Sequence, residues 1–452
     1  MSELVAGVVA VNVGFLLVGY ALLSGPLAGH PLRTRASYFG LALLLGAGAV
    51  GTALFFAAIL GLRTTLLTAG VTAAVVAFAG FALRKTIPPA ARTQVDTPTI
   101  AAAGAGAVAG ICLLGLVGGF RSSPWLDDAW GLWLPKGIAL ATVGLDERFF
   151  VPSGAYAAFG VPDYPLWWSV LGALDVQAVG TRDVRAMNAQ LGILAVAFLA
   201  AFARLLWGRV RPGIAVAGVG LVALAPEFWR HAQGGIADLP LAIYLALFAL
   251  ALAGWVAGGE PWLLGVAVVA GVTATQIKTE GLAEVVIVGG VAFAFARGRR
   301  RRGAAAATIA SAASALPWLA WRIAHDVPSR SPLSDWVSPG VLSSGADRLR
   351  PTIHDLAAPM LDPDRWLLAV PLFVALSIVG LIRTRQPAWA AGLVALTLAF
   401  GFLVWAYWVN PDAIEFLLAT SAYRTIDPIV VSAAAFVPFL ADRLLRLSLI
   451  HI

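Results

Sequence analysis

Charge is scarce in this chain, and that scarcity is the first constraint on what it can be. Only 12% of its 452 residues are Asp, Glu, Lys or Arg, whereas 60% are hydrophobic and the mean hydropathy is +0.85. A water-soluble fold has no way to hide so much apolar surface, but a chain that crosses a bilayer repeatedly presents it to lipid. Cysteine is nearly absent. The single Cys112 lies inside an apolar run, which excludes a disulfide framework and a cysteine-based metal site. Of the 31 basic residues, 3 are lysines and 28 arginines. The net charge of +7 is dispersed over short segments between apolar runs, so it forms no stripe able to follow a nucleic acid and marks membrane orientation instead. The start, Met1-Ser2-Glu3, lacks the basic region of a signal peptide, and the first apolar run is expected to be a retained span. There is no Walker-type loop, no His-Glu-x-x-His and no Gly-x-Ser-x-Gly. Gly46-Ala47-Gly48-Ala49-Val50-Gly51 matches the dinucleotide-binding pattern, but it has no preceding strand and no acid at the right distance. Close helix packing through small residues is the expected role there, as it is for Gly106 and Gly110.

What is present is a series of about thirteen apolar runs long enough to be considered as spans. They lie near 4–25, 37–61, 65–83, 99–119, 187–207, 212–227, 237–257, 261–275, 282–296, 304–323, 366–382, 388–408 and 426–441. The fold class is therefore expected to be an all-α polytopic membrane protein of about 13 transmembrane helices, with a large first outer loop carrying juxtamembrane helices. The runs at 261–275 and 282–296 are short, and they are expected to tilt or to meet near Lys278-Thr279-Glu280-Gly281. Arg33, Arg35, Arg84, Lys85, Arg92, Arg204, Arg209, Arg211, the run 297–302, Arg383, Arg385, Arg443 and Arg446 all fall on one side of such a topology. By the positive-inside rule that side is the cytoplasm, with the N-terminus outside and the C-terminus inside. The long segments 120–186 and 324–365, and shorter ones around 228–236, 276–281 and 409–425, then face outward and carry nearly every acidic residue.

The outer segments hold the chemistry. Trp125-Leu126-Asp127-Asp128-Ala129-Trp130 places two carboxylates just beyond an apolar run. Acids beside a bilayer are costly and mark functional positions, although the first turn of a helix also favours anions. Ser123-Pro124 reads as the start of that helix, and Trp125, Trp130 and Trp133 are expected to seat it at the interface. A partly desolvated carboxylate there gains the basicity needed to take a proton from a hydroxyl. Pro162-Asp163-Tyr164-Pro165-Leu166-Trp167-Trp168 packs an acid and three aromatics into a turn, suited either to holding a sugar or to an aromatic belt. Glu227, Trp229, Arg230 and His231 precede Asp238-Leu239-Pro240, where Asp238 can serve as a helix cap. Lys278 and Glu280 sit between the two short runs, where broken helices often bring charged groups to a site, and Arg424 stands at the mouth of the last run.

Together these residues resemble the GT-C class of integral-membrane glycosyltransferases, which includes protein O-mannosyltransferases, lipid A aminoarabinose transferases and actinobacterial arabinosyl- and mannosyltransferases. The likeness covers residues 95–440 and rests on Asp127-Asp128 opening the first large outer loop and Pro162-Asp163-Tyr164-Pro165 later in it. Gly235-Ile236-Ala237-Asp238-Leu239-Pro240-Leu241-Ala242 and Lys278-Thr279-Glu280-Gly281-Leu282 look like further motifs of bacterial members. The resemblance implies a GT-C fold, with three accessory transmembrane helices in 1–95 and a catalytic membrane domain in 96–445. It implies inverting transfer of a sugar from a polyprenyl-phosphate carrier to a hydroxyl of a lipid, glycan or protein acceptor. The active site would face the periplasm or cell exterior from the plasma membrane.

Asp127 or Asp128 would be the catalytic base, and Arg424 or Lys278 would meet the carrier phosphate. Asp163, Tyr164, Trp167, Glu227, His231, Asp238 and Glu280 complete the expected substrate-binding set. No cofactor is implied: paired acids could bind a divalent ion, but lipid-monophosphate donors in the family generally need none. Two departures stand out, the three extra spans before the family's first core helix and the lack of a sizeable soluble domain after the last run. The rival reading is a secondary transporter or lipid flippase coupled through Lys278, Glu280 and Asp238, which would be expected to carry a two-fold internal repeat that is not evident. A purely structural membrane subunit would leave the acidic and aromatic loop unexplained.

Overall fold

The computed structural model describes residues 1–90, 99–150, 161–327, 329 and 336–449. Among them every regular element is helical. The helices in chain order are α1 (Ser2–Leu22), α2 (Leu32–Ala36), α3 (Phe39–Ile59), α4 (Leu66–Ala82), α5 (Thr99–Arg121), α6 (Leu134–Thr142), α7 (Trp167–Val179), α8 (Arg185–Leu206), α9 (Pro212–Ala223), α10 (Pro226–Ala232), α11 (Asp238–Gly258), α12 (Pro261–Ile277), α13 (Thr279–Phe295), α14 (Gly298–Ala313) and α15 (Leu316–Ala324). Beyond these, Leu349–Leu361, Ala369–Thr384, Ala388–Val409, Ile414–Thr425 and Asp427–Leu449 are the long ones.

Each of the apolar runs falls on a helix. Nine helices among the described residues are long and apolar enough to cross a membrane, or ten if α9 and α10, bent by 55°, form one span. The difference from thirteen lies in α12 and α13, of 17 residues each, and Ala369–Thr384, of 16. At 1.5 Å per residue, 17 residues reach about 26 Å, short of a hydrocarbon core of about 30 Å. The expected outer loops at 228–236, 276–281 and 409–425 are largely helical interruptions. Pro226 restarts the helix as α10, Lys278 alone separates α12 from α13, and Ile414–Thr425 is itself a helix.

The centre of the bundle is α11, 83% of whose spanning window is buried, while α5 at 6% lies on the rim. Backbones approach closely where glycine allows it. A Cβ on Gly46 would lie 1.8 Å from the Phe15 carbonyl oxygen, which locks α3 against α1. Gly48 and Gly51 of the same pattern meet Thr273 of α12 and the Trp167 indole. The nucleotide-like motif is therefore a three-way packing face. Gly106 and Gly110 behave differently from expectation. A Cβ on either would meet nothing within 4 Å among the described residues.

The arginine-bearing segments converge at one end. Arg204 donates to the Tyr38 hydroxyl (2.7 Å), whose ring packs edge-on against Trp262 (6.2 Å), and the Trp262 indole donates to Glu260 (2.8 Å). Glu260 pairs with Arg209 (2.9 Å), and Asp442 binds Arg211 (3.0 Å) and Arg446 (2.5 Å). Arg300 reaches the Val256 carbonyl (2.9 Å), and Arg443 bonds Gln386. The remaining carboxylate clusters gather at the opposite end.

Candidate functional site

The chain leaves α5 at Arg121, and Pro124 prevents the helix from continuing. A new helix starts at Asp127, passes through a π-helical turn at Ala129–Trp133 and runs on as α6. Such turns recur at functional sites because they shift side chains out of the regular register. This start is seated on the segment before α11. Gly235 has φ +72°, and a Cβ there would fall 2.6 Å from Pro124 and 2.8 Å from Ala129, so only glycine permits the approach. Trp125 donates to the Arg230 carbonyl (3.2 Å), with the Arg230 guanidinium 4.7 Å above its ring.

The result is a line of alternating charges drawn from four places in the sequence. Asp128 is bonded by Arg424 Nη2 at 2.5 Å, and Arg424 Nη1 donates to Asp238 at 3.0 Å. Lys278 Nζ donates to the other Asp238 oxygen at 2.8 Å and lies 3.6 Å from Glu280. Glu280 accepts from the Tyr164 hydroxyl at 3.0 Å. Asp238 is the first residue of α11 but caps nothing: its side chain serves the two cations, not the helix amides. Lys278 has an extended backbone (φ −146°, ψ 157°), and this single non-helical residue turns α12 into α13. The turn is possible because a Cβ on Gly281 would lie only 2.2 Å from the Ala274 carbonyl oxygen. Three carboxylates thus face two cations, and Asp128, with its side chain 34% exposed, is the accessible end of the line.

A second cluster adjoins the first. His231 is fully buried, with Nδ1 2.6 Å from Asp427 and Nε2 3.2 Å from Glu227. Glu227 also receives Arg230 (3.3 Å) and Arg365 (3.2 Å), and Tyr423, beside Arg424, lies 5.8 Å from the imidazole.

Beneath the line is an aromatic floor. Tyr164 stacks flat on Trp133 (5.7 Å, 3°), and Lys278 sits 5.3 Å from the Tyr164 ring. Burial, followed by the Glu280 carboxylate, pushes the Tyr164 phenol well above its usual pKa. Lys136, 2% exposed, donates to the Val161 carbonyl (2.8 Å). Burial drives its pKa down to about 7, against an upward pull from Asp163 and Asp128.

Asp128, Tyr164, Asp238, Lys278, Glu280 and Arg424 are therefore brought together, with Glu227 and His231 alongside. Asp127 is exposed at the helix start and makes no hydrogen bond or ion pair with described residues. Asp163 turns away from the line, accepting from Ser329 (2.9 Å), while its carbonyl accepts from Trp318 (3.0 Å). Trp167, with no exposed surface, packs on Tyr244 (5.3 Å) and donates to the Gly48 carbonyl (3.4 Å), so it supports the core and offers no free face. Trp133 is likewise buried, leaving Trp125 and Trp130 as the exposed pair at the helix start.

Sequence reasoning passed over Asp427, Lys136 and Glu284, whose carboxylate is buried without a hydrogen-bond partner. Asp427-Pro428 carried a usable signal: like Asp238-Leu239-Pro240, it sets an acid and a proline at the head of an apolar run. Among the described residues no group of three or more His, Cys, Asp or Glu is placed to hold a metal ion. No family model matches this sequence, and no curated protein or solved structure is detectably similar to it.

Proposed function

We propose that this protein is an inverting glycosyltransferase that takes a sugar from a polyprenyl-phosphate carrier and passes it to a hydroxyl acceptor at the non-cytoplasmic face of the plasma membrane. The GT-C fold with thirteen crossings belongs to the same proposal. The observation that carries it is the pairing of Asp128 with the buried Arg424, beside an exposed Asp127 that has no partner among the described residues. Transfer needs a cation for the departing phosphate and a carboxylate for the acceptor's proton, and both stand at this helix start. Asp128 is the more accessible partner of Arg424, since Asp238 is 2% exposed. The donor phosphate takes the place of Asp128 on Arg424 Nη2. The acceptor oxygen then bonds to the anomeric carbon, the bond from that carbon to the phosphate oxygen breaks with its electron pair leaving on the polyprenyl phosphate, and Asp127 takes the hydroxyl proton. Asp238 holds Arg424 and Lys278 in position throughout.

The test is sugar transfer from synthetic polyprenyl-phosphate donors by the purified protein in proteoliposomes. Asp127→Asn is expected to lower kcat by about 10²–10⁴-fold with donor KM unchanged, the usual worth of a general base. Asp128→Asn is expected to act mainly on donor KM. Full turnover in Asp127→Asn would overturn the assignment of the base, and no turnover of any such donor would sink the reading.

A secondary transporter remains the second reading because of one observation, the buried Lys278–Asp238 pair at the break between α12 and α13. Such breaks line substrate paths in transporters. Counterflow of a solute in proteoliposomes without any covalent product would favour it.

A further inference from the structure

At the arginine-bearing end, away from the site above, the turn after α1, the short α2 and the end of α4 line an open cavity of about 1010 Å³. That is as large as the upper end of small-molecule sites, about 1,000 Å³. Its lining is amphipathic. Arg35, Arg84 and Lys85 supply three cations, Leu27, Phe81 and Ile87 supply apolar wall, and no carboxylate lines it among the described residues. The guanidinium carbon of Arg84 lies 3.7 Å from the Phe81 ring centroid, and among the described residues the Arg35 guanidinium bonds through Nε to the His30 carbonyl (2.9 Å). At this end Arg209, Arg211 and Arg446 are matched with Glu260 and Asp442, whereas no described carboxylate pairs with Arg35, Arg84 or Lys85, and three such cations around one cavity call for an anion. From the cavity a stripe of exposed apolar side chains, Phe78, Val75, Val71 and Leu67, runs down one face of α4 at helical spacing toward the other end.

We infer that this cavity binds the headgroup of an anionic diacyl phospholipid, its phosphate among Arg35, Arg84 and Lys85 and its acyl chains along the α4 stripe. A basic pocket between helices at one membrane surface recognises anionic headgroups through charge and hydrogen bonding, and the apolar stripe distinguishes a lipid from a free phosphate. The site stands independently of the glycosyltransferase reading.

Native mass spectrometry of the full chain in mild detergent tests it, with phosphatidylglycerol, phosphatidylcholine and inorganic phosphate as separate titrants. Phosphatidylglycerol is expected to be retained far better than phosphatidylcholine. The double variant Arg84→Gln/Lys85→Gln is expected to weaken it about thirtyfold, from about 1 kcal/mol per surface cation. Ala28→Trp keeps every cation but sets a bulky side chain in the cavity beside them, and it is expected to weaken retention while leaving the melting temperature unchanged. Equal retention of the two lipids, unchanged binding in either variant, or full displacement by inorganic phosphate at equal concentration would overturn the inference.

Discussion

Replacing Asp238 by Asn removes one negative charge from between two buried positive ones while keeping the volume. The side chains of Asp238, Lys278 and Arg424 are 2%, 5% and 7% exposed, so water screens the change very little. Removing one partner of a buried ion pair costs about 3–5 kcal/mol, mostly because the other charge is stranded. Here two cations are affected, but each keeps a second carboxylate, Arg424 with Asp128 at 2.5 Å and Lys278 with Glu280 at 3.6 Å. The expected loss is therefore about 3–4 kcal/mol, the single-pair range and not twice it. Lys278→Met, which strands a carboxylate still held by Arg424, is expected to cost about 3 kcal/mol. The double variant restores the balance of charge, so its cost should fall short of the sum by about 1.5 kcal/mol or more, within the range seen for contacting residues. Unfolding in mixed micelles of mild detergent and dodecyl sulfate, followed by fluorescence of the 16 tryptophans, measures all three. If Asp238→Asn costs under about 1 kcal/mol, or if the two losses simply add, the line is not the coupled unit described.

Two further perturbations are informative. Lys136 has a folded pKa of about 7 against an ordinary 10.5, so between those values the unfolded chain binds more protons and stability rises with pH, by up to about 1.4 kcal/mol per unit. Lys136→Met should flatten that rise in melting temperature between pH 7 and 10; an unchanged slope would show that Lys136 keeps its proton on burial. Gly281→Ala, whose Cβ would sit 2.2 Å from a backbone oxygen, should lower the melting temperature sharply, whereas Gly110→Ala, facing open space, should leave it level or slightly raised. Similar melting of the two variants would contradict the α12–α13 geometry.

The helices were legible because lipid imposes long apolar runs, and every run lies on helix, although 212–227 is divided between α9 and α10 and 304–323 between α14 and α15. Their count was less so, because α12, α13 and Ala369–Thr384 differ from full spans by a few residues that composition does not register. Within the site, cost was the readable signal: Asp128, Asp238, Lys278, Glu280 and Arg424 stood out as charges in apolar surroundings, and these are the ones that meet. Direction was not readable. Nothing in Pro162–Trp168 told Tyr164, which joins the line, from Trp167, which turns into the core, because Tyr164 lies in the bend before α7 and composition does not give the direction a bend residue takes. Asp427 was missed for a related reason, since its meaning depends on a histidine 196 positions earlier in the chain.

The interior contacts of α3 also bear on how the chain is made. The Leu44 carbonyl of this helix accepts the Tyr244 hydroxyl (2.8 Å), the Gly48 carbonyl accepts the Trp167 indole, and Gly48 is pressed against Thr273. During synthesis α3 is inserted long before residues 167, 244 and 273 exist. Gly46 meets α1 at once, but Gly48 and Gly51 spend that interval without their partners, which arrive in the order α7, α11, α12. The first ninety residues are thus an unfinished surface waiting for the rest of the chain, and a ribosome stalled before α12 would leave a membrane-inserted but incompletely packed intermediate.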